Sequence, residues 1–178
     1  MSKIVYVPSW NSTNKLGKES LTAELTQHGD VLAFASESLK DDRPAVMTAV
    51  AQRGRSLNYA SDGMRDDKGT VIAAVEHDGM ALQFATARLR DDDNIVKKAV
   101  ANRGRSLQYA SQRLQGDRAL VLLAVGQWGR ALQYASHELR ADEEVLKAAT
   151  AQDPSAEEFA DRARHYRHLM HGEDLMHH

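Results

Sequence analysis

Glycine returns at Gly29, Gly54, Gly79, Gly104 and Gly129, always 25 residues apart, and each return brings the same neighbours with it. Five residues on stands an aromatic ring: Phe34, Tyr59, Phe84, Tyr109, Tyr134 and, in the same register, Phe159. An alanine follows every ring, from Ala35 to Ala160. Two stretches are near copies, AQRGRSLNYAS at 51–61 and ANRGRSLQYAS at 101–111. A period of this length means that one supersecondary unit is built repeatedly, each copy burying its apolar face on the next.

Six registers begin near 16, 41, 66, 91, 116 and 141. The first half of each carries a valine or leucine (Leu21, Val46, Val71, Val96, Val121, Leu146) with small or branched residues three and four places later, as in Ala49 and Val50. That spacing is one face of a helix. Asp42, Asp67, Asp92, Asp117 and Asp142 precede these helices as expected N-caps, since a carboxylate there accepts from unpaired backbone N–H groups. Pro44 suits a first turn, and the recurrent glycine is expected to end the helix as a left-handed residue. The second half, RSLNYASDGMR at 55–65, puts Leu57, Ala60, Ser61 and Met64 on one stripe and predicts a second helix of similar length. Helices this short are marginal alone and must stack.

The prediction is an all-α chain, a short α-solenoid of about six 25-residue helix-turn-helix repeats with polar capping ends. Glu24, Glu157 and Arg164 replace apolar residues of the frame at the two ends, as capping repeats require. The expected organisation is an extended N-terminal arm over 1–15, a single repeat domain over 16–164 and a histidine-rich tail over 165–178. Cysteine is absent, so disulfides, thiol nucleophiles and thiolate metal sites are excluded. With no secretory leader and no long apolar run, a soluble cytoplasmic protein without a membrane partner is expected.

The phrases FASESLKDDRPAVMTAVAQRGRSLNYAS and LQYASHELRADEEVLKAA resemble the bacterial and viral repeat family known as domain of unknown function 4116. The resemblance covers about residues 28–152 and implies an all-helical repeat module. It brings no agreed activity and no catalytic residues.

Most recurrent residues read as packing. The rings are expected to sit between layers, and the aspartates to act as caps rather than cation ligands. Lys40, Arg65, Arg90 and Arg140 are expected to form a charge ladder with those acids. Specificity in a repeat protein belongs to positions that vary inside the fixed frame. Two such columns flank the glycine: His28, Arg53, Asp78, Arg103, Trp128 and Asp153 before it, and Asp30, Arg55, Met80, Arg105, Arg130 and Ser155 after it. Turns lie at the surface, so Met80 and Trp128 are expected to be exposed among arginines, a composition typical of interface hot spots.

Arg53, Arg55, Met80, Arg103, Arg105, Trp128 and Arg130 are therefore the candidate partner-binding residues. The expected function is a non-catalytic protein-interaction module, an adaptor or inhibitor encoded by a phage or mobile element and acting on a host complex. The alternative is nucleic-acid or nucleotide binding through the same arginines, against which stands a formal net charge of only −2. No glycine-rich phosphate loop, nucleophile elbow or zinc-protease signature occurs, so no enzyme, cofactor or metal is expected. His165, His168 and His171, at steps of three, are read as fortuitous.

Overall fold

The computed structural model describes residues 28–160, and every regular element within them is helical. Five ten-residue α-helices recur: α1 (Arg43–Gln52), α2 (Lys68–His77), α3 (Asp93–Asn102), α4 (Arg118–Gln127) and α5 (Glu143–Gln152). The acid before each one caps it. Asp42 accepts from the Ala45 N–H at 3.2 Å, Asp67 from Thr70 at 2.8 Å and Asp92 from Ile95 at 3.0 Å. Asp117 and Asp142 do the same for Leu120 at 2.7 Å and Val145 at 3.0 Å. Each carboxylate satisfies an N–H that has no partner inside its own helix.

The second half of the repeat differs from the expected single helix. It is a six-residue 3-10 helix (Gly29–Phe34, Gly54–Tyr59, Gly79–Phe84, Gly104–Tyr109, Gly129–Tyr134 and Pro154–Phe159), then an extended step, then a short helical turn such as Asp62–Arg65. The break falls at Ala60 and Ser61, whose ψ angles of 157° and 162° are extended. Three of the serines support it by starting a new helix instead of continuing the old one. The Ser61 hydroxyl accepts from the Met64 N–H at 3.2 Å, and Ser111 and Ser136 accept from Leu114 and Leu139 at 3.3 and 3.4 Å.

The recurrent glycine is not left-handed: no described glycine has a positive φ. The long helix ends at an extended residue, Arg53 in α1, and the glycine answers a different demand. A Cβ on Gly54 would stand 2.4 Å from the Ala74 carbonyl oxygen, on Gly79 2.3 Å from that of Ala99, and on Gly104 2.6 Å from that of Ala124. The turn of one repeat thus rides directly on the backbone of the next repeat's long helix, where only glycine fits.

Packing runs from neighbour to neighbour, α1 on α2 and onward to α5, with each 3-10 helix on the one that follows. Leu32, Leu57, Leu82, Leu107 and Leu132 are fully buried along this line, with Val46, Val50 and their counterparts in α2, α3 and α4. Tyr59, Phe84, Tyr109, Tyr134 and Phe159 are half-buried against it, while Phe34 is 65% exposed. The chain is an all-α repeat solenoid. At the register of the buried leucines Glu157 is exposed, so the described stack ends on a polar residue. The proposed arm over 1–15, the tail over 165–178 with its histidines, and the Glu24 and Arg164 positions lie outside the described residues. Among the described residues no helix is long and apolar enough to cross a membrane.

Candidate functional site

The glycine turns are aligned along one edge of the stack by a column that sequence reasoning missed. The glycine N–H donates to a side chain 23 residues ahead: Gly54 to His77 Nδ1 at 3.2 Å, Gly79 to Asn102 Oδ1 at 2.8 Å, Gly104 to Gln127 Oε1 at 2.9 Å, and Gly129 to Gln152 Oε1. Two of these amides also donate back to the preceding repeat, Asn102 to the Glu76 carbonyl at 2.8 Å and Gln127 to that of Ala101 at 3.0 Å. The available signal was a register, Gln52, His77, Asn102, Gln127 and Gln152, that always holds a side-chain acceptor. Its partner 23 residues away becomes visible only in three dimensions.

On this frame the two flanking columns mesh. The residue after one glycine meets the residue before the next. Arg53 Nη1 donates to Asp30, and Arg55 Nε donates to Asp78 Oδ2 at 2.8 Å. Arg105 has its guanidinium carbon 5.6 Å from the Trp128 ring centroid, within cation–π range. Arg130 donates to Glu158 at 2.9 Å and lies 5.4 Å from the Phe159 centroid.

Asp78 does not merely interrupt the arginines. It caps the Met80 N–H at 3.0 Å, holds Arg55 and lies 3.8 Å from Arg103 Nε. Burial pushes its carboxyl up, but the Met80 N–H and the two guanidiniums outweigh that and leave it below the usual aspartate range. Asp153 is lowered in the same direction by Ser155, with Arg130 contributing.

The candidate residues do not all lie where sequence reasoning put them. Arg53, Arg55, Arg103, Arg105 and Arg130 are exposed along the edge. Met80, expected at the surface, is only 7% exposed, because its thioether turns inward to the Ser106 hydroxyl at 3.9 Å. Trp128 is half-buried: its ring packs on the core and lies 6.1 Å from the Tyr134 ring, leaving one side to Arg105.

The opposite edge is built from serines and acids. Ser61 donates to Asp41, Thr86 to Asp66 and Ser111 to Asp91. Arg88 clamps Asp66 at 2.9 Å, and Arg113 bridges Asp91 and Asp93 at 3.0 Å each. Hydrogen bonds from Arg88 and Thr86 hold Asp66 below its usual range; those from Ser111 and Arg113 do so for Asp91. The basic ladder expected at Lys40 and Arg65 is more local, since these pair with Glu37 and Asp62 in their own short turns. Among the described residues no group of three or more histidines and acids could hold a metal ion.

The family model described as Domain of unknown function (DUF4116) matches the chain three times, over residues 24–65, 67–115 and 117–161. Each match spans close to two of the 25-residue units. No curated protein and no solved structure matches the chain. Three tandem matches across most of the sequence, on a stack whose packing repeats with the same period, make this chain a member of the DUF4116 family.

Proposed function

We propose that the chain is a non-catalytic interaction module that seats a protein partner on the glycine edge, in the manner of an adaptor or inhibitor. The observation that carries this reading is the Trp128–Arg105 pair, an aromatic ring and a guanidinium held against each other on a rigid edge. Trp and Arg dominate binding hot spots, and side chains ordered before binding lose less entropy on association. The contact set is Arg53, Arg55, Arg103, Arg105, Trp128 and Arg130; Met80 supports it from within. Acids interleave with these arginines at Asp30, Asp78 and Glu158, which favours a protein surface over the uniform charge of a nucleic-acid backbone. A cysteine-free chain suits the cytoplasm.

The test is capture from nuclease-treated and untreated source-cell lysate, comparing the wild-type chain with the double variant Arg105→Glu, Trp128→Ala. Bound proteins are identified by mass spectrometry and re-bound in purified form. The expected result is a partner retained after nuclease and lost in the double variant. Binding abolished by nuclease would overturn the reading and transfer the arginines to phosphate recognition.

A further inference from the structure

The meshing columns follow a charge rule that fails at the two junctions flanking Gly104. Where the residue after one glycine meets the residue before the next, Asp30 faces Arg53 and Arg55 faces Asp78. At the far end Arg130 has Glu158 and the field of Asp153. Between them the same geometry puts Met80 opposite Arg103 and Trp128 opposite Arg105. Neither facing residue carries charge. Arg103 reaches only as far as 3.8 Å from Asp78, a carboxylate already hydrogen-bonded by Arg55. Arg105 has the Trp128 ring and, among the described residues, no carboxylate within ion-pair distance.

Two guanidiniums therefore flank Gly104 with less than one carboxylate between them, on an edge that is otherwise balanced pair by pair. A ring holds a guanidinium by its face and leaves the N–H donors in its plane available, a fork that fits a carboxylate bidentately. We propose that the partner presents an acidic peptide segment here, its Asp or Glu side chains seated on Arg103 and Arg105 beside Trp128. This rests on the interaction reading above and specifies the chemistry of the partner.

The Trp10→Phe variant leaves Trp128 as the sole tryptophan of the chain, and its emission reports on the site. The probes are decaglutamate, decaglutamine and a ten-nucleotide oligothymidylate at low salt. Decaglutamate should give a saturable change in Trp128 emission, and decaglutamine none. Arg105→Gln or Arg103→Gln should weaken the glutamate response about tenfold, the loss of one hydrogen bond to a charged group. Asp78→Asn, which retains an oxygen to cap Met80 but removes the competing charge, should tighten it several-fold. A misfolded variant cannot imitate that gain.

No saturable response, a response unchanged in all three variants, or tighter binding of oligothymidylate would each overturn the proposal. The broader reading fails separately. If decaglutamate does not bind but a purified partner still depends on Trp128, the acidic chemistry falls and the interaction module stands.

Discussion

The two edges of the stack carry the same load by different means. On the glycine edge a turn lies against the carbonyl of the next long helix, and glycine occupies the contact at Gly29, Gly54, Gly79, Gly104 and Gly129 without exception. On the serine edge the side-chain links come and go. Asp41, Asp66 and Asp91 are followed in register by Gly116 and Ala141, and the clamping arginines stand only at Arg88 and Arg113. What persists there is backbone: the N–H groups of Ser61, Thr86, Ser111 and Ser136 donate to the carbonyls of Lys40, Arg65, Arg90 and Gln115 at 2.9, 3.2, 2.9 and 2.9 Å. Where a Cβ would run into the next helix's carbonyl oxygen no side chain is admissible, and the position is locked. Where side chains bridge a gap that the backbone has already closed, they are free to change.

The sharpest way to break this contrast is to add one carbon to each kind of glycine. Gly79→Ala would put a Cβ 2.3 Å from the Ala99 carbonyl oxygen, and the stack must open there, at a cost of about 3 kcal/mol. Gly126 lies inside α4, where an added methyl carbon would meet nothing within 4 Å, so Gly126→Ala should instead stabilise by about 0.5–1 kcal/mol. Urea midpoints that move in opposite directions are expected; equal losses would refute the close-contact explanation.

The amide column comes next in size. Gln127→Leu leaves the buried Gly104 N–H without its acceptor and should cost about 2 kcal/mol. Its counterpart across the stack, Ser111→Ala, removes a cap from a four-residue turn while the Ser111 backbone bond survives, for about 1 kcal/mol. If the serine variant proved the more damaging in chemical denaturation, the ranking of the edges would reverse.

Acid should weaken the serine edge, and with it the lowered Asp78 of the glycine edge. The carboxylates of Asp66, Asp91 and Asp93 are lowered in the folded chain, chiefly by hydrogen bonds from Arg88, Ser111 and Arg113 respectively. A group with a depressed folded pKa contributes stability above its unfolded value and loses it as pH falls through the folded one. Melting temperature should therefore hold from neutrality down to about pH 5 and fall below about pH 4. Arg113→Gln should flatten that fall, and a slope unchanged by the substitution would show that the clamp contributes nothing.

The period, the long helices and their aspartate caps are legible in the sequence, because each depends on residues near one another in the chain. The serine break is hidden by ambiguity: Ser61 satisfies a helical stripe as a small residue and equally satisfies an N-cap, and only the extended Ala60 decides between them. The glycine invites the wrong task for a related reason. A left-handed turn is a local property, whereas the carbonyl it touches belongs to a residue twenty positions on. Met80 is misplaced by sequence because a column of charged neighbours implies exposure, yet nothing in the chain's order states which way one thioether turns. The candidate edge itself can be read from the variable columns. Which arginines are neutralised cannot, since their partners lie 23 to 28 residues away.

The smallest effect probes the packed side of the glycine edge. Two residues after Gly54, Gly79, Gly104, Gly129 and Pro154 the register holds Ser56, Ala81, Ser106, Ala131 and Ala156, all fully buried. The Ser106 hydroxyl reaches the Met80 sulfur, but the Ser56 hydroxyl has no hydrogen-bond partner among the described residues. Its oxygen fills space beside Gly29 without repaying its own desolvation. Ser56→Ala should therefore raise stability by about 0.5–1 kcal/mol, whereas Ser106→Ala gives up a weak sulfur contact and should be nearly neutral. Thermal melts of the two variants make the comparison directly. A gain at Ser56 with none at Ser106 would mean that this edge tolerates a polar atom only at a cost, as expected where repeat meets repeat without intervening space. A loss at Ser56 would mean instead that the oxygen's contacts beside Gly29 are themselves part of what holds the turn in place.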